Sequence, residues 1–316
     1  MNIFLKIAII VFGSFTLSQC IYVAIEKGRS LYFYDRIPKY DRLLKSNEDY
    51  DLLMLGSSRT HYHNDPKIID SITRLNSFNA GINGANMASL YIMLNGYLEK
   101  HPVPELLVLE VSMLSFKVDE WNPIDATVYF RYLDNRGVYT SMNESWKYSG
   151  LFKNLPFLRL SQFDDINKTY GFKGLKGDKE KTTGPSYKGY TENINDIVSD
   201  TVKVPELNCF WVSYTEKGKF YTEKILQLCR EKNINTVVVY SPEYKRLNFI
   251  CPEGKRIIDT ISSLCETYNF PFWNYLLHPI CEEQKYFANI GHLNLKGAQY
   301  FSKILGKDIK TYQDNR

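Results

Sequence analysis

Residues 51–60 read DLLMLGSSRT and predict a buried β-strand that ends in a glycine–serine turn. The segment 51–55 is short and nearly all apolar, which is typical of a central strand in a parallel sheet. After Gly56, small polar residues suit a turn into a helix, and Ser57 or Ser58 can cap the start of that helix. Free N–H groups at a helix start also favour a developing anion. The turn therefore predicts either a structural cap or a reactive hydroxyl.

Strand and helix patterns alternate along most of the chain. Short apolar runs with strand character occur at 77–80, 106–111, 236–240 and 270–275. Apolar residues at three- and four-residue spacing predict helices at 87–98, 221–229 and 257–268, and a last helix from about Leu295. The alternation predicts a three-layer α/β/α domain with a central parallel sheet, of flavodoxin-like type. Ligands of such sheets bind at the carboxyl ends of the strands.

The alternation breaks in the middle of the chain. We expect an insertion at about 113–215 that forms a cap or side module within a domain spanning 45–306. Residues 171–190, GFKGLKGDKEKTTGPSYKGY, are rich in lysine and glycine and predict a solvated loop. No P-loop and no complete GxGxxG motif follows any of the predicted strands.

Composition restricts the class of protein. Of the 316 residues, 44% are hydrophobic and 15% aromatic, which excludes disorder as the dominant state. A net charge of +4 over this length gives no reason to expect a nucleic-acid partner. Six cysteines show no CxxC spacing, so we predict no zinc site, and we expect no metal or other cofactor. Cys229 and Cys265 are predicted to be buried thiols, and one disulfide among the five cysteines after Cys20 remains open.

The N-terminal segment 1–30 contains one charge-free run, IAIIVFGSFTLSQCIYVAI at 7–25. Its length fits a membrane-spanning helix, and we interpret it as an uncleaved anchor. A cleaved signal peptide lacks a clean small-x-small site here. A lipoprotein signal ending at Cys20 would have a small residue where Gln19 stands. A buried helix of a soluble protein is the remaining alternative.

Charges flanking the run oppose the location that we expect for the domain. Lys6 precedes the run, whereas five cations follow it: Lys27, Arg29, Arg36, Lys39 and Arg42. By the positive-inside rule this distribution keeps the C-terminal body in the cytoplasm. The family resemblance described next favours an extracytoplasmic domain instead.

Three segments resemble, in order and placement, the conserved blocks of the SGNH (GDSL) hydrolase superfamily, in its divergent membrane-anchored bacterial type. Residues 56–58, GSS, are similar to the Gly-Asp-Ser block. Residues 79–84, NAGING, are similar to the Asn-x-x-x-x-Gly block, and 292–298, HLNLKGA, to the C-terminal histidine block. The resemblance covers about 45–111 and 217–306.

The resemblance implies roles for individual residues. Ser58 is the expected nucleophile and His292 the general base, and the N–H groups of Ser58 and Gly84 are the expected oxyanion hole. Other residues expected to line the site are Ser57, Arg59, Asn83 and Asn86, and the nearby His61 and His63 can join them. As a helix cap, Asn83 or Asn86 would start the helix after the second strand.

Two departures from the family pattern concern the chemistry. The strand at 106–111 runs on into Ser112, Met113 and Leu114 without the Asn that donates to the oxyanion, a loss that typically costs about 10²–10³ in rate. Asn289 stands where the family has the triad Asp. In a serine protease that replacement costs about 10⁴ and favours the wrong imidazole tautomer.

Two interpretations of the Asn289 position remain open. Ser58 and His292 can work as a dyad, with the imidazole held by a carbonyl or by another carboxylate such as Glu282 or Glu283. Otherwise the site is slow or inactive.

The function implied is that of an esterase or O-acyltransferase acting on acyl esters, acetyl esters above all, of cell-envelope carbohydrate. Its partners would be that substrate, the membrane and envelope-biosynthesis proteins. One alternative is a catalytically degenerate protein with a binding or assembly role in envelope polysaccharide biosynthesis. Another is a nucleotide-binding protein that uses the loop from Gly81 to Gly84, for which no acidic residue is suitably placed.

Overall fold

The computed structural model describes residues 2–34, 36–117, 127–145, 149–182, 184, 186–194, 212–246 and 251–316. The chain divides into two compact units. The N-terminal unit combines Met1–Lys45 with Trp121–Lys181, and the sheet unit combines Ser46–Glu120 with Thr182–Arg316. Part of the predicted insertion thus belongs with the N-terminal segment.

A five-stranded parallel sheet is the centre of the sheet unit. Its strands are β1 (Leu52–Gly56), β2 (Ser77–Gly81), β3 (Leu106–Glu110), β6 (Thr236–Tyr240) and β7 (Phe272–Asn274). Their order is β2-β1-β3-β6-β7, and every neighbouring pair is parallel. The predicted α/β class with a central parallel sheet is confirmed. Two short antiparallel pairs accompany it, β4 (Ser186–Tyr187) with β5 (Tyr190–Thr191), and β8 (Phe287–Asn289) with β9 (His292–Leu293).

Helices cover both faces of the sheet. One face carries α3 (Ser58–His63), α4 (Pro66–Thr73) and α11 (Leu295–Asp314), and the other carries α5 (Met87–Lys100), α9 (Glu216–Glu231) and α10 (Pro252–Tyr268). Leu52 and Met54 pack with Phe301 in one core cluster. Leu53 and Leu55 point to the opposite face because side chains alternate along a strand. All five residues of β1 are buried, as its continuous apolar run requires.

The N-terminal unit is helical, with α1 (Ile3–Tyr32), α2 (Arg36–Leu44), α6 (Arg136–Ser145), α7 (Ser149–Asn154) and α8 (Asp165–Leu175). Helices α1 and α8 meet at glycines: a Cβ on Gly28 would lie 1.9 Å from the Gly171 carbonyl oxygen. The prediction of a solvated loop at 171–190 is therefore wrong at both ends. Gly171 lies in a helix–helix contact, and Tyr190 is a buried strand residue.

Helix α1 is long and apolar enough to cross a membrane. Its residues 2–17 are exposed, and one side becomes buried within the N-terminal unit from Tyr22 onward.

Cysteine placement agrees with the predicted buried thiols. Cys229 and Cys265 are buried, and burial raises the pKa of each thiol to about 12. Cys281 is also buried, and Cys20 is an exposed free thiol. Cys251 is disulfide-bonded, and Cys209 lies outside the described residues.

Candidate active site

Ser58 and His292 lie in direct contact although 234 positions separate them in sequence. Ser58 is the first residue of α3, directly after the turn that ends β1, and its Oγ lies 2.7 Å from His292 Nε2. His292 is the first residue of β9, just before α11. The neighbouring Ser57 is the N-cap of α3. The turn thus contains both alternatives that its sequence allowed, a structural cap at Ser57 and a hydroxyl facing an imidazole at Ser58.

Asn289 fixes the protonation pattern of this imidazole. Its Oδ1 accepts the backbone N–H groups of Gly291 and His292, both at 3.0 Å, and also lies 3.0 Å from His292 Nδ1. Backbone N–H groups only donate, so the amide must present its oxygen at this point. Nδ1 therefore carries the proton, and Nε2 is left to accept from Ser58. The expectation that Asn at this position favours the wrong tautomer does not hold in this loop.

Two other expected partners of His292 lie elsewhere. Glu283 pairs with Lys285 at 2.9 Å, and Glu282 is an exposed residue of the preceding 3₁₀ turn. The group that holds Nδ1 is thus the Asn289 amide oxygen, and neither carboxylate takes that position.

Burial lowers the pKa of His292 to about 4. The positive charge of Arg59 acts in the same direction, and the Glu243 carboxylate acts against both. The imidazole is therefore neutral at pH 7 and able to accept a proton, but its conjugate acid has little stabilisation from nearby negative charge.

A buried charge cluster beside the serine turn was not predicted from the sequence. Arg59 forms an ion pair with Glu243, and the two side chains are 2% and 0% exposed. The Tyr240 hydroxyl donates to Glu243 at 2.5 Å, and the guanidinium lies 5.3 Å from the Tyr240 ring centroid. Burial acts to lower the pKa of Arg59, but the Glu243 carboxylate, Tyr240 and the Glu110 carboxylate together outweigh it, and the pKa is raised. Arg59 is thus a permanent buried cation next to the candidate nucleophile.

Glu110 anchors the serine turn from the end of β3. Its Oε2 accepts the Ser57 N–H at 3.1 Å and the Ser57 hydroxyl at 2.9 Å, and burial raises its pKa. Gly56 leaves space for this carboxylate, since a Cβ there would lie 2.9 Å from Glu110 Oε2. In the sequence, the only indication of this role is that the apolar run LLVL at 106–109 ends in a glutamate, Glu110. A buried charge in such a strand requires a partner.

The expected oxyanion donors lie after neighbouring strands. Gly84 follows β2 with a φ of +75°, a conformation that favours glycine. Within the described residues, no hydrogen bond uses the backbone N–H of Gly84 or of Ser58. The role of these two N–H groups as oxyanion donors therefore stays a prediction.

The remaining predicted residues divide between structural and site-lining positions. Asn86 is the N-cap of α5 and accepts from Ser89 N at 3.0 Å, as one interpretation expected. Asn83 donates to the Tyr62 hydroxyl at 2.9 Å, and the Tyr62 ring stands edge-on to His292 at 5.9 Å. Asn83 thus reaches the site through a tyrosine.

The two other histidines of the serine segment have different positions. His63 is buried, and its Nε2 accepts the Leu293 N–H at 3.0 Å, so it holds β9 in place. Burial lowers its pKa well below the ordinary value. His61 Nδ1 lies 3.2 Å from the Gly189 carbonyl oxygen, in contact with the β4–β5 turn. Among the described residues, no group of three or more His, Cys, Asp or Glu is arranged to hold a metal ion.

Neither a protein-family model nor a curated protein matches the chain. Among solved structures, it is similar to an acetyl xylan esterase at 11% identity and a TM-score of 0.42, covering 83% of this chain and 100% of the other. It is also similar to a Streptococcus pneumoniae protein described as a candidate platelet activating factor, at 14% identity and a TM-score of 0.43, covering 95% and 99%. The strand order and the parallel pairing give the chain an α/β fold with a central parallel sheet.

Proposed function

We propose that this protein is a serine-dependent esterase or O-acyltransferase that forms an acyl-enzyme on Ser58. The observation that carries the proposal is the contact of Ser58 Oγ with His292 Nε2 at 2.7 Å, with Nδ1 held by Asn289. A serine nucleophile needs an adjacent base in this tautomer, and the base needs a third group that orients it.

In the proposed first step, Ser58 Oγ attacks the ester carbonyl carbon while its proton passes to His292 Nε2. The carbonyl oxygen becomes an oxyanion that accepts from the N–H groups of Ser58 and Gly84. Collapse of the tetrahedral intermediate breaks the ester C–O bond, and the imidazolium gives its proton to the leaving alcohol. Water or a sugar hydroxyl then attacks the acyl-enzyme, with His292 again as the base, and Ser58 is regenerated.

The absence of a negative charge on Asn289 limits this mechanism. Asp in that position would stabilise the imidazolium, whereas the Asn289 oxygen is only a dipole. Asp→Asn in a serine protease costs about 10⁴ because it also produces the wrong tautomer. In this protein the tautomer is correct, so we expect a smaller deficit.

The proposed substrate class is an acyl ester, in particular an acetyl ester, of cell-envelope carbohydrate. A membrane-anchored enzyme of this type reaches polymers at the cell surface. Support comes from the exposed apolar part of α1 and from the disulfide at Cys251, because disulfides persist in oxidising compartments. The cations after the run point the other way, because the positive-inside rule counts Lys and Arg whether or not carboxylates pair with them.

Labelling with a fluorophosphonate probe tests the acyl-enzyme step. We expect the wild type to be labelled, and Ser58→Ala and His292→Ala to lose labelling. Ser71→Ala, an exposed serine on α4, is the matched control and keeps wild-type labelling. A folded protein without a Ser58-dependent adduct would overturn the proposal in favour of a degenerate protein with a binding or assembly role. With an acetylated polysaccharide as substrate, acetate release separates hydrolysis from transfer.

A further inference from the structure

A short segment of the N-terminal unit has its charge inside and its apolar side chains outside. Residues 155–160 read LPFLRL and belong largely to the 3₁₀ helix Pro156–Gln162. Arg159 is buried, with 8% of its surface exposed. The apolar residues around it are partly exposed: Leu155, Phe157, Leu158 and Leu160. A surface that meets water normally has the opposite arrangement.

Hydrogen bonds hold the Arg159 charge in this inward position. Its Nε donates to the Phe152 carbonyl oxygen at 2.7 Å, and its Nη1 donates to the Tyr22 hydroxyl of α1 at 2.9 Å. The guanidinium also lies 5.4 Å from the centre of the Tyr22 ring. A buried charge is costly unless it is paired in this way, so these contacts fix which side of the segment faces outward.

Contacts with α1 place the segment at a definite level along that helix. The Phe157 N–H donates to Gln19 Oε1 at 3.2 Å, and the Phe157 ring packs edge-on against Phe15 with centroids 5.2 Å apart. The segment thus lies beside the second half of the charge-free run.

The length of α1 indicates where the membrane boundary lies relative to Phe157. Residues 2–17, which are exposed on all sides, extend only about 24 Å at 1.5 Å per residue. A hydrocarbon core is about 30 Å thick, so a complete span must use α1 to about residue 21 or beyond. Ile21 and Val23 are 44% and 55% exposed on the outer side of the helix and suit that role. The membrane boundary therefore falls where Phe157 meets α1.

We propose that the segment 155–160 is a second membrane contact, with its four partly exposed apolar side chains in the interface between headgroups and acyl chains. The proposal rests on the membrane anchoring proposed above and deepens it. The occupant is lipid because the segment is continuous with the exposed apolar surface of α1. The N-terminal unit would then rest on the bilayer surface, fixed at two points, instead of hanging from a flexible tether.

Site-specific fluorescence in vesicles tests this contact. The full chain with Cys20→Ser is reconstituted into phosphatidylcholine–phosphatidylglycerol vesicles, and single positions are labelled with an NBD dye through Leu158→Cys or Leu175→Cys. Burial protects the side chains of Cys229, Cys265 and Cys281 from the reagent. Leu175 is the matched control, an exposed leucine that lies against Gly28, further along α1 from the membrane. Phe12→Cys reports whether α1 itself is inserted.

We expect the emission of the dye at position 158 to be blue-shifted. Lipids with a doxyl group on the acyl chain should quench this dye several-fold more than aqueous iodide does. The dye at position 175 should be quenched more by iodide than by the doxyl lipids. If doxyl lipid quenches the dye at position 12 while iodide quenches the dyes at 158 and 175 alike, α1 is anchored in the membrane but the second contact is wrong. If neither quencher reaches 158, a protein such as a second copy covers the segment, and the proposal is again wrong. Iodide quenching at 12 overturns the anchoring itself. Labelling of Ser58 by fluorophosphonate is independent of all these outcomes.

Discussion

Arg59 and Glu243 form a buried ion pair that connects two strand ends to the histidine loop. Arg59 follows Ser58 after β1, and Glu243 lies in the turn after β6. The next residue, Tyr244, donates its N–H to the Ile290 carbonyl oxygen at 3.1 Å, in the loop between Asn289 and His292. The ion pair thus belongs to the framework that positions the serine relative to the imidazole.

Replacing Glu243 by Gln should be strongly destabilising. The variant keeps the shape but removes the carboxylate that pairs directly with the buried Arg59 cation, and breaking one partner of a buried pair costs about 3–5 kcal/mol. We expect the urea midpoint to fall accordingly. In Asp259→Asn, which breaks the exposed pair of Asp259 with Lys255, the midpoint should barely move. Equal effects of the two variants would mean that the buried pair has no special role.

Replacing Asn289 by Asp should increase activity. A carboxylate can accept from the same three N–H groups and adds the charge that stabilises the His292 imidazolium. An increase of one unit in the pKa of His292 corresponds to about tenfold in proton affinity, and we expect at least about a tenfold faster reaction with fluorophosphonate or with 4-nitrophenyl acetate. Asn289→Ala removes the orienting oxygen and should be slower than wild type. A faster Ala variant would contradict the orienting role.

The pH profile should extend unusually far into acid. Because His292 acts as a base in its neutral form and its pKa is about 4, labelling of Ser58 should persist at pH 5 and decline with a midpoint near 4. In Asn289→Asp the midpoint should move to higher pH. A wild-type midpoint near 6.5 would show that the imidazole is not desolvated as the structure has it.

The free energy of unfolding should decrease as the pH falls, because of the same residue, His292. The folded-state pKa of His292 is lowered, so the unfolded chain binds more protons between about pH 6.5 and 4. The stabilising contribution is complete above pH 6.5 and is lost as the pH falls towards 4. His63, whose pKa is also lowered by burial, adds to this loss. Urea midpoints measured from pH 7.5 to 4.5 should therefore decrease, and His292→Gln should reduce the slope.

Gly28→Ala should loosen the N-terminal unit. The added Cβ would lie 1.9 Å from the Gly171 carbonyl oxygen, so α1 and α8 must move apart, and overpacking of this kind costs about 1–3 kcal/mol. Gly13→Ala on the same helix is the control, because nothing lies within 4 Å of its Cβ position. Thermal melts in detergent micelles should show a lower Tm for the first variant alone.

Local pattern in the sequence was sufficient for the sheet and for the placement of Ser58. The run 236–240 appears as β6 with the same bounds, and β1 differs from its predicted bounds by one residue at each end. A buried strand and the turn after it are encoded by neighbouring residues, so Ser58 could be placed at a strand end without knowledge of the rest of the chain. His292 was predicted from the resemblance of 292–298 to the C-terminal histidine block, and local pattern placed it only just before the last helix.

Only the tertiary structure decided the environment of these residues. The partners of Arg59 and Ser57 come from the turn after β6 and from the end of β3, and their burial turns ordinary surface-type residues into a charge cluster. Gly171 resembles a loop residue in sequence and packs between helices in the fold. The orientation of Asn289 depends on two backbone N–H groups whose directions exist only once the β8–β9 turn has formed. Periodicity reports which side of an element is apolar, whereas hydrogen bonds, burial and charge pairing depend on chain segments that folding brings together.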